Sequence, residues 1–248
     1  MKNAPITLKR NGNKVLITTF ITFRGNYADK RLDTGYTYAE TAAASLETKW
    51  SGDFKFYDQK INVVTKVFSN NNSPNNVLKP AICISNQHFL KIKIIGGTIA
   101  SKIMRSHERL SWFGILKNDE SICSWTAAKS SNPITIYVTE NFQSSTPYNL
   151  ISKSNFEGLV AHEFGHALGL GDAYNAGYRG GRFPWTLDGF YAPENYEVKD
   201  KSGKTYSVHV SKDNMMISNK KVSDNDIRMV LEAYETGIQQ LFPFGSKN

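Results

Sequence analysis

Cysteine is scarce: the 248 residues hold two, Cys83 and Cys123, which permit at most one intramolecular bridge and exclude a disulfide-stapled scaffold. No apolar run is long enough to cross a bilayer as a helix. Lys14 to Phe23 comes nearest to the hydrophobic part of a signal peptide, with Lys9 and Arg10 ahead of it. Threonines at 18, 19 and 22 and the lack of a small-x-small cleavage site make it a strand instead. No internal repeat divides the chain, and a 40% hydrophobic content suits one sizeable domain. Acidic residues are outnumbered, 22 against 30 Lys and Arg, for a net charge of +8 and a pI of about 9.3. The basic residues are dispersed, with short clusters at Lys199 to Lys204 and Lys220-Lys221. No nucleic-acid module accompanies them, so they read as a solvated basic surface.

What is present centres on His162-Glu163-Phe164-Gly165-His166-Ala167-Leu168-Gly169-Leu170-Gly171-Asp172. Histidines four apart on a helix project from the same face one turn apart, so both imidazoles can hold one metal ion with Glu163 beside them. Ser154 and Glu157 form a capping box, Phe156, Leu159 and Val160 supply an apolar side, and Gly169 can take the left-handed conformation that ends a helix. After that turn Asp172 can fold back as a third ligand, leaving one coordination position for water, which is the arrangement of a catalytic zinc. His209 is a spare candidate for the third ligand, and His88 and His107 read as surface or core residues.

His-Glu-x-x-His-x-x-Gly-x-x followed by a third ligand resembles the long motif of the metzincin zinc endopeptidases, in which the last position is usually His. Asp172 in that place resembles the snapalysin variant. Asp213-Asn214-Met215-Met216-Ile217-Ser218 resembles the metzincin Met-turn, with Met216 in the position of the methionine that packs beneath the ligands without binding the metal. Ser223-Asp224-Asn225-Asp226 is another capping box, and Ile227, Val230, Leu231, Tyr234 and Ile238 behind it look like one face of the C-terminal metzincin helix. Ser218 stands where astacins and serralysins carry a tyrosine, so help of that kind would have to come from Tyr174, Tyr178 or Tyr191. Neither cysteine lies in the context by which matrixin propeptides hold zinc.

The remaining elements follow from local signals. Lys14 to Arg24 reads as the first strand. A capping box at Thr37 and Glu40 opens a helix through about Trp50, ended by Gly52. Further strands fall at Ile61 to Phe68, Lys91 to Ile95 and Ile134 to Thr139, and a hairpin joins Tyr196 to Lys199 with Lys204 to Val210. The expectation is one α+β domain, 1–248. The resemblance implies a metzincin-like catalytic domain: a twisted, mostly parallel sheet with the active-site helix above a cleft, and a smaller C-terminal subdomain with the Met-turn and C-terminal helix. Its upper part would be 1–169 and its lower part 170–248, with an aromatic insertion over 173–214 as lid, wall or self-packed satellite. The resemblance also implies that substrate pairs with an edge strand, carried over to Ile134 to Thr139.

The expected activity is peptide-bond hydrolysis by one zinc ion held by His162, His166 and Asp172, with Glu163 as general base. The alternative is a zinc-bearing effector or binding module whose aromatic loop grips a partner protein. Expected partners are a protein or peptide substrate and an inhibitor or immunity protein, with no nucleic acid, no membrane span and a monomeric state. The missing signal peptide suits a processed domain or an exported effector, and the wealth of Lys, Asn, Ile and Ser suits a bacterial source.

Overall fold

The computed structural model describes residues 4–81, 87–96, 134–138, 156–175 and 190–243. Ser154, Thr139, Tyr178, His107, Cys83 and Cys123 lie outside these residues, as do Phe183 and Trp185 of the insertion.

The chain opens with an antiparallel hairpin, β1 (Ile6–Asn11) and β2 (Lys14–Arg24), registered Asn11 to Lys14 across a turn in which Gly12 has φ of +58°. β2 is the spine of the sheet. Its β-branched residues alternate strictly between a buried and a half-exposed side, the pattern of a strand covered on one face. β3 (Gly52–Phe56) and β4 (Gln59–Ser69) form a second hairpin, and β4 lies parallel to β2 from Lys14↔Asn62 to Ile21↔Ser69. On its other flank β2 is shared: β1 takes Lys14 to Thr19, and β6 (Leu90–Gly96) takes Ile21 to Arg24. β7 (Ile134–Val138) pairs parallel with β6 and ends the described sheet, whose order is β3-β4-β2-β6-β7, while β5 (Lys79–Pro80) adds to β4. The result is a mixed α+β architecture with a mostly parallel sheet, which is compatible with a peptidase domain.

Two helices cover the buried face. α1 (Tyr38–Lys49) begins with the Thr37 and Glu40 box, in which Glu40 N donates to Thr37 Oγ1 at 3.1 Å and Thr37 N donates back to Glu40 Oε2 at 2.7 Å. Trp50 caps its end, and Gly52, expected to stop the helix, instead opens β3 with φ of +146°. α2 (Phe156–Ala167) crosses α1, tied by Trp50 Nε1 donating to Ala161 O at 3.0 Å and Ser45 Oγ to Glu157 O at 2.7 Å. Edge-to-face pairs Tyr38 with Phe156 and Trp50 with Phe164 fill the seam.

Beyond α2 come two short antiparallel strands, β8 (Tyr174–Asn175) and β9 (Phe190–Tyr191), then the hairpin β10 (Asn195–Lys199) with β11 (Thr205–His209). A single turn, α3 (Met215–Ser218), precedes α4 (Asp224–Thr236). Ile227, Val230 and Leu231 are buried as expected. Tyr234 is 51% exposed and Ile238, beyond the Gly237 cap, is 66% exposed, so neither belongs to the buried face. Nη1 of Arg228 in α4 donates to both oxygens of Glu232, at 2.7 and 2.6 Å, and Tyr57 at the β3–β4 turn donates to the same carboxylate at 2.6 Å. The two halves of the chain are thereby joined.

Candidate metal centre

Helical spacing puts His162 and His166 on one side of α2, with ring centroids 4.9 Å apart and the side chains nearly buried. Each ring is held from behind. Nδ1 of His162 donates to the carbonyl of Met215 and Nδ1 of His166 to that of Leu170, both at 2.9 Å. A carbonyl can only accept, so these bonds keep a proton on Nδ1 of each ring, and in the neutral imidazole the lone pair is then on Nε2.

α2 stops as its sequence directs. Gly169 takes φ of +101°, its N–H bonds His166 O at 3.0 Å, and the N–H of Leu170 bonds Gly165 O at 3.0 Å. These two bonds form a Schellman motif, which turns the chain back on the helix. The returning stretch is clamped by residues beyond α4. Gln240 N donates to Gly169 O and receives Gly171 N on its own carbonyl, both at 2.8 Å, while Gln239 Nε2 reaches Leu170 O at 3.3 Å.

This turn delivers Asp172 Oδ1 to 3.1 Å from Nε2 of His162 and 3.3 Å from Nε2 of His166. Three lone-pair atoms converge there, all within 4.8 Å of one another. Ligands about 2.05 Å from a tetrahedral zinc ion stand about 3.3 Å from each other, and the two distances to Oδ1 match that spacing. Oδ1 is buried and has no hydrogen-bond donor, and Oε2 of Glu163 is in the same condition. Such orphaned buried oxygens are costly unless a cation or a reactant meets them. Burial alone would raise the Asp172 pKa, but the two imidazoles outweigh it and hold the carboxyl well below the usual range. Burial likewise pushes His166 down, and the carboxylate beside it wins, raising it to about 9, so a metal that binds at Nε2 displaces a proton from this ring.

Met216 is fully buried. A β-carbon at Gly165 would stand 2.6 Å from its sulfur, so the thioether lies directly against the helix between the two histidines in sequence. Ala173 N bonds Met216 O at 3.1 Å, which ties the residue after Asp172 to the same turn. His209 is elsewhere: it is exposed on β11, with Nδ1 3.2 Å from Asn195 Oδ1, and is not grouped with the other two histidines. His88 is exposed as well.

Sequence reasoning did not single out the link behind the site. Asn214, the cap of α3, accepts Met216 N on Oδ1 at 2.7 Å and donates from Nδ2 to both oxygens of Asp226 at 3.0 and 2.9 Å. The capping box had marked Asp226 as a helix start, but nothing local ties it to Asn214.

The family model described as immune inhibitor A peptidase M6, catalytic domain, matches residues 91–190. That stretch spans β6 through Asp172 and supports a metallopeptidase. Searches of the curated proteins and of the solved structures returned no match.

Proposed function

We propose that the chain is a zinc-dependent endopeptidase of metzincin-like build, with His162, His166 and Asp172 as metal ligands and Glu163 as general base. The observation that carries this reading is the convergence of two imidazole Nε2 atoms on one carboxylate oxygen, at 3.1 and 3.3 Å. Zinc, when bound, supplies Lewis acidity, lowering the pKa of water toward roughly 7 and polarising the scissile carbonyl. Glu163 follows His162 in sequence and has an unpartnered buried oxygen. It accepts the proton of the attacking water and delivers it to the departing amine. The Met215 and Leu170 carbonyls keep the imidazoles in the tautomer that binds metal, and Met216 forms the floor beneath them.

Residues 1–169 and 170–248 act as the two sides of one cleft. An extended peptide pairs with β7, the last strand of the described sheet. Glu163→Gln is expected to retain zinc and to lose hydrolysis by at least about a hundredfold. Mapping new N-termini in a lysate treated with either protein tests this. Retained cleavage by the variant overturns the general-base role, and purified protein without affinity for zinc overturns the ligand set. Zinc binding with no new termini from the unaltered protein would favour a zinc-bearing binding module instead.

A further inference from the structure

The sheet face opposite α1 and α2 carries no helix among the described residues, although its central pairs are parallel. Parallel sheets ordinarily bury both faces. Here the strands alternate instead: β2 turns Leu16, Thr18, Phe20 and Thr22 outward half-exposed, and on β4 Val64 and Lys66 are exposed beside half-exposed Phe68. An open face on a parallel sheet calls for a partner of its own.

The charge of this face is one-sided. Lys9, Lys14, Arg24, Lys60, Lys66 and Lys93 are exposed on it, and the register places them on the same side. Among the residues that β1 to β6 turn this way, the only carboxylate is Asp53, which already accepts Asn62 Nδ2 at 2.8 Å. The lysines are dispersed along the sequence, and strands of period two collect them. Inside this cationic rim sits an apolar centre. Phe20 stacks on Phe68 across the strands at 5.6 Å, and Phe89 meets Phe20 edge-on at 6.1 Å.

That centre decides the kind of anion. Single-stranded nucleic acids are held on aromatic rings whose faces are free to stack on bases, whereas Phe20 and Phe68 spend their faces on each other. An apolar patch ringed by long cations matches the interface of a bilayer, where lysine stems lie along the apolar boundary and the ammonium groups sit among phosphates. We infer that this face docks on the surface of an anionic phospholipid membrane, away from the helices that carry the metal centre and independently of its chemistry. Binding is adsorption, since no described helix is long and apolar enough to cross.

The test is co-sedimentation of the full chain with vesicles of phosphatidylcholine alone and with vesicles containing one third phosphatidylserine. The expected result is binding to the anionic vesicles only, weakened by added salt. Changing Lys9→Gln, Lys66→Gln and Lys93→Gln together should lower that partition about a hundredfold, because each lysine near such a surface is worth about fivefold. These exposed residues make no contact with the metal ligands, so the melting temperature and zinc content of the triple variant should match those of the parent. Equal binding to neutral vesicles, anionic binding that survives the triple change, or capture of a single-stranded oligonucleotide without any vesicle binding would overturn the inference.

Discussion

Gly165 shows how much of the centre rests on one missing methyl group. Alanine there would gain about 1 kcal/mol of helix propensity. Its β-carbon, however, would meet the Met216 sulfur at 2.6 Å and Trp50 Cζ2 at 3.1 Å, both in fully buried side chains, and overpacking of this kind costs about 1 to 3 kcal/mol. The clash should prevail. Gly165→Ala is expected to lower the melting temperature and to weaken zinc affinity, because Met216 moves with the Met215 carbonyl that holds His162. Adding Met216→Ala should recover part of both, and calorimetry with zinc titration reads the coupling. At this scale the sequence was informative wherever a side chain acts through local geometry. His162 and His166 needed only helical spacing, and Asp172 needed only the turn that Gly169 makes. The carbonyls of Met215 and Leu170 were illegible, since any residue can supply a carbonyl and only tertiary folding brings it to a ring.

Among elements, the joint between α3 and α4 has the clearest electrostatic consequence. Asp226 is fully buried, and burial pushes its carboxyl from 3.8 up to about 6, against the hydrogen bonds from Ser223 and Asn214 that pull it down. A pKa raised by folding means that the native state binds the proton more tightly than the unfolded chain. Its contribution is therefore complete below about pH 4 and lost as pH rises through about 6, a change of about two units or roughly 3 kcal/mol. Asp226→Asn should remove this slope. The check is urea unfolding of both proteins across that window: the difference between their stabilities should shift by a few kcal/mol, and a constant difference would refute the assignment. The capping boxes at Thr37 and Ser223 were legible because they are written within four residues. β1 and β3 were not. β1 did carry a turn signal in Asn11-Gly12, but its alternation is short and its polar residues are many. At the β3–β4 turn Tyr57 takes φ of +53°, a conformation that its sequence does not advertise. It is held there by Glu232 at 2.6 Å and by the Tyr206 ring at 4.7 Å, contacts from far along the chain.

Across the whole molecule, the centre joins the helix layer over the sheet to the segments that follow it. Zinc bound there cross-links α2 to the stretch after Gly169, so its removal should be felt globally. With zinc at a thousandfold above its dissociation constant, chelation is expected to cost about 4 kcal/mol of stability, read as a fall in melting temperature that added zinc reverses. The order of strands and helices was largely readable from β-branched runs and caps. The one-sided burial of a parallel sheet was not, because it depends on which layers the chain builds.

The clamp on the ligand turn also has a history in time. Leu170 and Gln239 are 69 residues apart, and at about 5 to 20 residues per second of synthesis the second follows the first by roughly ten seconds. During that interval the histidines and Asp172 already exist, but the turn that aligns them lacks its final hydrogen bonds. A chain that stops before Gln239 would leave the turn carrying Asp172 without these hydrogen bonds, so the bracing of that turn waits on residues synthesised after α4.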